Sequence, residues 1–183
     1  VHRDGKITVQ EFNIGKPMYP AKEIGVTANR GTTVTFTPDA SIFSVLEYNY
    51  TTLANRIREL SYLNKGITIT LRDERQLDEN GQALSETFFS EGGLREFVLY
   101  LDDAKEKLIE EPIYIENDKG VIPVEVAMMY NNSYSENIQS YVNNINTHEG
   151  GTHLAGFRRG LTRTLKSYAD KNGLLSKVKF EIS

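Results

Sequence analysis

The chain has 183 residues, of which 39% are hydrophobic and 25% are charged, and its formal net charge is −4 at pH 7. This length suits one ordinary domain or two small ones, and the negative charge argues against a generally basic nucleic-acid binder while leaving room for a local basic face. No apolar run approaches the roughly 20 residues of a membrane span, and the absence of cysteine excludes disulfides and thiolate metal sites and fits a reducing cytoplasm.

The first residues predict a β-hairpin. Asp4-Gly5 is typical of a type I′ turn, and it lies between residues 1–3 and the alternating apolar and polar residues 6–12. No apolar segment follows the early charges, so these residues are not a signal peptide. Because the chain lacks an initiator methionine and opens inside this strand pattern, we expect it to be a fragment.

The next sixty residues predict a loop, two strands and a helix. Residues 15–20 contain two prolines and predict a loop, and β-favouring side chains predict a strand over residues 32–37. Apolar residues at helical spacing predict an amphipathic helix over residues 50–63, which Gly66 ends as a glycine C-cap. Residues 67–71 then predict a second strand.

Residues 72–91 are polar and acidic and give the best candidate for a domain boundary. Asn80-Gly81 lies in their middle and no periodicity is present, which is typical of a linker or an exposed hairpin. We therefore predict two parts, residues 1–90 (of which 72–90 are the linker or hairpin) and residues 91–183.

The second part alternates helices and strands. A helix opens at Gly92-Gly93 and runs to about Lys105, and residues 113–116 and 121–130 predict a hairpin with one buried face. Further patterns predict a helix marked by Ile138, Tyr141, Val142 and Ile145, a long helix over residues 152–170 and a last strand over residues 177–182. This order of elements predicts an α+β fold in two layers.

Residues 143–157 join two of the predicted helices and carry an unusual set of side chains. Two glycines, two threonines and two histidines lie close to Glu149. A metal site would use His148, Glu149 and His153 but lacks a further ligand at suitable spacing. A phosphate site would use Gly150-Gly151-Thr152 but lacks the longer glycine spacing of phosphate loops. The third interpretation is a tight turn between helices, with Thr152 as the N-cap.

The long helix carries a basic stripe. Arg159, Arg163 and Lys166 fall on the side opposite an apolar stripe, and Arg158 lies at its shoulder. Such a stripe is able to meet a nucleic-acid backbone, where each lysine or arginine adds a salt-dependent contact; a solvated helix face is the alternative. Because no aromatic side chains are interleaved with these charges, we do not expect the helix to read base sequence.

Residues 143–156 (NNINTHEGGTHLAG) resemble the transducer domain of the bacterial DNA gyrase B family, which belongs to the type IIA topoisomerases. The pattern Asn-x-Thr-x-Glu-Gly-Gly-Thr-His is a hallmark of those enzymes. Further similarity lies at residues 58–64, 91–94 and 124–127. The resemblance covers essentially the whole chain in order.

The resemblance implies a fold and a function. Residues 1–90 would be the C-terminal part of a Bergerat-fold ATPase domain, and residues 91–183 the N-terminal part of a transducer domain that is similar to domain 2 of ribosomal protein S5. In the family, ATP binding and hydrolysis drive DNA strand passage and negative supercoiling. This part of the protein would couple the nucleotide state to the DNA gate.

The resemblance also assigns roles to single residues. Thr32 matches the threonine that helps to bind adenine, and Arg3 matches the arginine at the rim of the ATP pocket that aminocoumarin inhibitors contact. From the residues alone, Thr32 is a strand threonine and Arg3 an exposed hairpin arginine. Arg158 matches the basic lining of the cavity that DNA is thought to traverse, and the rest of the DNA-facing helix is Arg159, Arg163 and Lys166. Gly150-Gly151-Thr152 would be a hinge-like helix start, with His148 and His153 in structural hydrogen bonds.

Several family features have no counterpart in these 183 residues. They are the general-base glutamate, the Mg²⁺-binding asparagine, the Asp-x-Gly-x-Gly turn at the adenine, the glycine-rich lid and the Gln-Thr-Lys loop. We therefore expect no catalytic residue and no metal ligand in the chain, and no ATP hydrolysis by the chain alone. The full-length gyrase B protein would use ATP and Mg²⁺, with neither expected to be bound by the isolated chain.

The resemblance implies partners as well. These are the gyrase A protein in an A₂B₂ complex, double-stranded DNA and, in the ATP state, a second copy of the gyrase B protein, all in the bacterial cytoplasm and without a membrane. Two alternatives stay open. One is the ATP-binding component of topoisomerase IV, which serves decatenation and shares Glu-Gly-Gly-Thr-His; the other is a stand-alone α+β module that binds nucleic acid or a partner through the basic helix.

Overall fold

The computed structural model describes residues 1–174, and the strand predicted over residues 177–182 lies outside them. The chain divides into two compact units, of which the first is Val1–Asn49 and the second begins at Tyr50. Every strand pair in the described part is antiparallel, and helices pack against these pairs in the second unit. The predicted α+β class is confirmed.

The first unit is built of short strands. Its elements are β1 (His2–Arg3), β2 (Lys6–Val9), β3 (Phe12–Asn13), β4 (Lys16–Pro17) and β5 (Lys22–Val26). β1, β2 and β5 form one sheet with β2 in the centre, and β3 pairs with β4. No residue among these first 49 is buried, so the unit's small sheet has no enclosed core.

The hairpin predicted at the start of the chain is confirmed. Arg3 of β1 pairs with Lys6 of β2, which leaves a two-residue turn. Asp4 and Gly5 in that turn have φ angles of 51° and 79°. Left-handed values at both positions define the type I′ turn that Asp-Gly favours.

The strand predicted over residues 32–37 is wrong. An isolated bridge between His2 and Gly31 is the last β pairing in this part of the chain, and residues 32–38 belong to no strand. β-favouring side chains form a strand only where a neighbouring strand offers hydrogen bonds and a packing surface. Val34 and Phe36 accordingly remain exposed.

Two further strands were outside the prediction for this unit. The loop predicted over residues 15–20 contains β4, whose proline is tolerated because the strand lies at an edge. β5 has a signal that was available in the sequence, since Ile24 and Val26 alternate with Glu23 and Gly25.

The second unit consists of helices and three separate hairpins. Its elements are α1 (Tyr50–Leu63), β6 (Ile69–Leu77), β7 (Ala83–Phe88), α2 (Leu94–Leu101), β8 (Ile113–Asn117), β9 (Val124–Met128), β10 (Tyr141–Val142), β11 (Ile145–Asn146) and α3 (Thr152–Lys171). α1 packs against α2, β6 and β7, and α2 packs against β9. Over residues 1–174, no helix has the length and apolar character needed to cross a membrane.

The helix α1 has the predicted bounds. Its last turn is closed by Asn64, whose backbone amide and side-chain amide both donate to the Leu60 carbonyl, at 3.1 and 2.8 Å. Gly66 follows with a φ of 83°, the left-handed value expected of a glycine near a helix C-terminus.

The acidic segment after α1 is a hairpin. β6 extends well beyond the predicted residues 67–71 and pairs with β7 from Ile69↔Phe88 to Asp73↔Leu84. The connecting turn is held by a hydrogen bond from the Asp78 amide to the Gln82 carbonyl, at 2.7 Å. The placement of a domain boundary between residues 90 and 91 stays a prediction.

The start of α2 is fixed by a buried hydrogen-bond network. Gly93 has a φ of 60°, and its amide donates to the Ser90 hydroxyl at 2.9 Å. The Glu96 carboxylate accepts hydrogen bonds from the Ser90 hydroxyl and the Gly92 amide. The helix is shorter than predicted because it ends at Leu101, and residues 102–105 form a turn instead.

The hairpin β8–β9 is shorter and more exposed than predicted. β9 covers residues 124–128 only, and Val124 at its start is 54% exposed. The prediction of one buried face is wrong, because the residues of β9 are at most half-buried although α2 packs against the strand.

The core of the second unit lies between α1, α2 and β7. Phe97 of α2 is 7% exposed and stacks on Tyr62 of α1 with ring centroids 5.2 Å apart. Phe88 of β7 is also buried, and the Arg58 guanidinium lies 5.2 Å from its ring centroid. Aromatic contacts therefore hold the helices against the first hairpin of the unit.

Candidate functional site

The two residues predicted to line a nucleotide pocket, Arg3 and Thr32, lie on neighbouring segments. His2 and Gly31 exchange two backbone hydrogen bonds, at 2.8 and 3.0 Å. Arg3 and Thr32 each follow one member of that antiparallel bridge, so they lie on adjacent segments but on opposite sides of the bridge along the chain direction. Both are exposed, and the Arg3 guanidinium lies 3.6 Å from the Asp4 carboxylate.

Arg3 and Thr32 both present polar groups to solvent. An exposed hydroxyl and an exposed guanidinium are able to contact a polar heterocycle or its substituents. Within residues 1–174, however, no three His, Asp or Glu side chains come together as metal ligands would. A contact between Arg3 or Thr32 and a nucleotide stays a prediction.

The segment that leads into Gly150-Gly151 is a hairpin, which corrects the helix predicted around Ile138, Tyr141, Val142 and Ile145. Val142 of β10 pairs with Ile145 of β11. Asn143 and Asn144 between them have φ angles of 50° and 64°. Asparagine tolerates left-handed angles better than other non-glycine residues, so Asn-Asn makes a two-residue turn where the apolar spacing alone also fits a helix.

The two glycines separate this hairpin from α3. Gly150 has a φ of 75°, and its amide donates to the Thr147 carbonyl at 2.8 Å. A Cβ on Gly151 would lie 2.8 Å from the His153 ring, so a larger residue would force that ring to move. The prediction of Thr152 as the N-cap is wrong, because Gly151 occupies the cap position and Thr152 is the first helical residue.

One of the two histidines is placed in a hydrogen bond close to the helix start. The Nε2 atom of His153 lies 3.3 Å from the Thr147 hydroxyl. Thr147 in turn donates its hydroxyl to the Ser140 carbonyl at 3.0 Å. These contacts join the first turn of α3 to both arms of the β10–β11 hairpin. Among residues 1–174, His148, Glu149 and His153 do not belong to a cluster of three metal-ligating side chains.

The four cations predicted to face DNA all border one cavity of about 1310 Å³ in the second unit. The cavity lies between α2, β9 and α3, and the cations that line it are Arg158, Arg159, Arg163 and Lys166. The apolar residues Leu154, Phe157 and Leu161 also line the cavity, although helical spacing places Phe157 and Leu161 on the side of α3 opposite the basic stripe. The basic stripe and part of the apolar stripe thus meet at this concave surface.

Acidic side chains also line the cavity. Glu116, Asp118 and Glu125 lie on the β8–β9 side, and Glu136 forms an ion pair with Arg158 at 2.5 Å. Both partners of that pair are at least half exposed, so the pair itself adds little to stability. The cations therefore face carboxylates within the chain as well as solvent.

A group of residues that the sequence analysis does not single out connects α1 to the β10–β11 hairpin. Arg56 donates to the Asn144 carbonyl at 2.7 Å and to the Glu59 carboxylate at 2.6 Å. The Asn144 side chain donates to the Asn64 side chain at 2.8 Å. Burial, together with a hydrogen bond to Glu59, raises the pKa of the Tyr141 hydroxyl, so Tyr141 remains a donor at physiological pH.

Comparisons with known proteins agree over the whole chain. A family described as DNA gyrase B matches residues 93–183. The DNA gyrase B protein of Cytophaga aurantiaca is 63% identical over 183 residues, which are all of this chain and 38% of the relative. The DNA gyrase B protein of Staphylococcus aureus is 48% identical over 179 residues, which are 97% of this chain and 27% of the relative.

Solved structures give the same result. The 43K ATPase domain of Thermus thermophilus gyrase B, solved in complex with an aminocoumarin, has a TM-score of 0.74 and 33% identity, over 94% of this chain and 46% of that chain. The gyrase B protein from Myxococcus xanthus has a TM-score of 0.75 at 22% identity, over 91% of this chain and 48% of that chain, and supports the fold alone. The chain spans about two fifths of the length of the Cytophaga relative. It belongs to the DNA gyrase B family.

Proposed function

We propose that this chain is the part of a gyrase B protein that couples the state of bound nucleotide to the passage of DNA. The observation that carries the proposal is the 63% identity to a DNA gyrase B protein across all 183 residues. Identity at this level, without a gap in coverage, favours the same role in the parent protein. The shared fold with a gyrase B ATPase domain supports it.

The full-length gyrase B protein would be the ATP-hydrolysing component of a type IIA topoisomerase. It would use ATP and Mg²⁺ to drive strand passage and negative supercoiling, with the gyrase A protein in an A₂B₂ complex and with duplex DNA as the substrate. Two copies of gyrase B would dimerise in the ATP state. The complex would act in the bacterial cytoplasm.

Residues of the first unit would contribute one wall of the nucleotide site. The Thr32 hydroxyl would help to hold the adenine, and Arg3 would lie at the rim, where an aminocoumarin would also contact it. The bridge between His2 and Gly31 puts the segments that carry Arg3 and Thr32 next to each other, which supports this assignment. ATP would supply the free energy of the conformational cycle when bound, while Thr32 would help to bind its adenine base.

Residues of the second unit would act on the DNA side. The cations of α3 that would face duplex DNA are Arg158, Arg159, Arg163 and Lys166. Cationic side chains that contact DNA phosphates release the counterions condensed on the DNA, so such binding weakens as salt rises. The common position of these four cations along one concave surface supports this assignment. Residues 91–183 would be the first part of the transducer domain, and residues 1–90 the last part of the ATPase domain.

Supercoiling by the full-length protein tests the proposal. The gyrase B protein that carries this chain, mixed with its gyrase A partner, is expected to introduce negative supercoils into relaxed circular DNA only when ATP is present. Efficient ATP-dependent decatenation without supercoiling would instead identify a topoisomerase IV component. Each relative named above is a gyrase protein, and no observation favours that alternative.

ATP turnover by the isolated 183-residue chain tests whether hydrolysis needs the rest of the gyrase B protein. We expect none, because the family's general base and phosphate-binding elements have no counterpart in its sequence. Phosphate release that Thr32→Ala abolishes would contradict this expectation.

A further inference from the structure

The helix α1 is tied to the turn between β10 and β11 by two long-range hydrogen bonds. The Arg56 guanidinium donates to the Asn144 carbonyl, a partner 88 residues away in the sequence, at 2.7 Å. The Asn144 side-chain amide donates to Asn64, 80 residues away, at 2.8 Å. One turn residue is therefore held through its backbone and its side chain at once.

Both ends of this contact are held in place. Glu59 accepts a hydrogen bond from Arg56 at 2.6 Å, and its side chain is only 21% exposed, which aims the guanidinium at the turn. Asn64 also donates to the Leu60 carbonyl at the end of α1. Asn143 and Asn144 have left-handed backbone angles that fix the shape of the turn. Hydrogen-bond networks between secondary-structure elements, such as this one, are able to carry coupling between distant sites.

The chain on either side of the contact leads to the two predicted sites. α1 follows the first unit, which contains Arg3 and Thr32, directly in the sequence. Beyond the turn, the Thr147 amide donates to the Ser140 carbonyl at 2.8 Å, and Thr147 contacts His153 in the first turn of α3. Hydrogen bonds thus run from α1 through the hairpin to the helix that carries the basic stripe.

We propose that Arg56 and Asn144 are positioning residues that pass movement of α1 to the start of α3. They lock the β10–β11 hairpin to α1, so that a change in the nucleotide-binding unit reaches the DNA-facing helix with its direction preserved. This inference rests on the proposed function, since it names the contact through which the coupling acts. Both residues act through the elements that they join.

The test compares two activities of the full-length gyrase B protein combined with gyrase A. Arg56→Ala removes both donors, and Asn144→Gly removes the bond to Asn64 while glycine keeps the left-handed turn. Arg58→Ala is the matched control, because Arg58 lies on the same helix but pairs with Glu86 of β7 at 2.7 Å. The rate of ATP hydrolysis and the number of supercoils introduced per ATP are measured for each variant.

Arg56→Ala is expected to lower the number of supercoils per ATP at least about five-fold, the lower end of typical coupling between sites, while the rate of ATP hydrolysis stays near that of the unsubstituted protein. Asn144→Gly is expected to lower the number of supercoils per ATP by a smaller factor. Arg56→Lys keeps a donor and is expected to lower that number less than Arg56→Ala does. Arg58→Ala leaves the ratio unchanged.

An unchanged ratio in Arg56→Ala would overturn the inference and leave the proposed function standing. A parallel loss of hydrolysis and supercoiling, with a lower melting temperature, would also overturn it, because the contact would then serve stability alone. Failure of the unsubstituted protein to supercoil DNA with ATP would contradict the proposed function itself. Supercoiling by the unsubstituted protein therefore tests the proposed function, and the comparison with its variants tests the coupling contact.

Discussion

The two units of the chain differ in how they use their apolar residues. In the first unit, Val34 and Phe36 are 78% and 71% exposed, and no residue is buried. In the second unit, Phe88 and Phe97 are 5% and 7% exposed and lie between helices and a hairpin. An apolar strand-like pattern therefore becomes a packed element only where a second layer covers it. The residues predicted to contact a nucleotide, Arg3 and Thr32, lie in the first unit. The contact that we propose for coupling, between Arg56 and Asn144, lies in the second unit.

The largest difference between the units is expected from matched phenylalanine substitutions in this 183-residue chain. Phe97→Ala removes a buried ring that stacks on Tyr62 and is expected to cost about 3–4 kcal/mol of the free energy of unfolding. Phe36→Ala removes an exposed ring and is expected to cost no more than about 0.5 kcal/mol. Urea unfolding followed by circular dichroism measures both. Equal costs would mean that the first unit has a core of its own.

Two glycine substitutions in the second unit test where the backbone depends on glycine. Gly93 has a φ of 60° and a ψ of −126°, and a Cβ there would lie 3.4 Å from the Tyr62 carbonyl. Gly93→Ala is therefore expected to cost about 1–3 kcal/mol. Gly156→Ala in α3 meets no atom within 4 Å and is expected to stabilise the chain by about 0.5–1 kcal/mol. The same unfolding measurement compares them, and a neutral Gly93→Ala would contradict the glycine-dependent start of α2.

Charge reversal tests which of the two units binds DNA. The unsubstituted chain is expected to bind duplex DNA weakly and less tightly as salt rises, and the triple change of Arg158, Arg159 and Arg163 to glutamate is expected to lower that affinity at least about ten-fold. The control reverses three cations of the first unit, Lys16, Lys22 and Arg30, and makes the same change in net charge. Fluorescence anisotropy with duplexes of unrelated sequence measures both. Equal losses would assign the binding to overall charge rather than to α3.

Local signals in the sequence predicted the elements that depend on neighbours along the chain. The bounds of α1 follow from apolar spacing and a glycine stop, and the Asp4-Gly5 turn follows from its residue types. Residues 138–145 show the limit, because their apolar spacing fits a helix and their Asn-Asn dipeptide fits a turn. In the folded chain the turn forms, and α1 supplies hydrogen-bond partners for Asn144 that stabilise it.

The candidate site residues also differ in how far the sequence alone identifies them. Arg3, Thr32 and the α3 cations are identified by resemblance, since residue type and spacing leave each of them an ordinary surface alternative. Arg56 carries no local signal of its role, because its partner lies 88 residues away and only the folded chain brings the two together. The strand predicted at residues 32–37 failed for the converse reason, since its local signal lacks a neighbouring strand.

A chimera gives the most direct test that this chain couples nucleotide state to DNA passage. The 183 residues would replace the matching 38% of the Cytophaga aurantiaca gyrase B protein, and the chimera would be combined with the gyrase A protein from that organism. Supercoiling of relaxed circular DNA is then measured with and without ATP. The account predicts negative supercoils that depend on ATP, at a rate close to that of the parent enzyme. A folded chimera that hydrolyses ATP but leaves the DNA relaxed would contradict it.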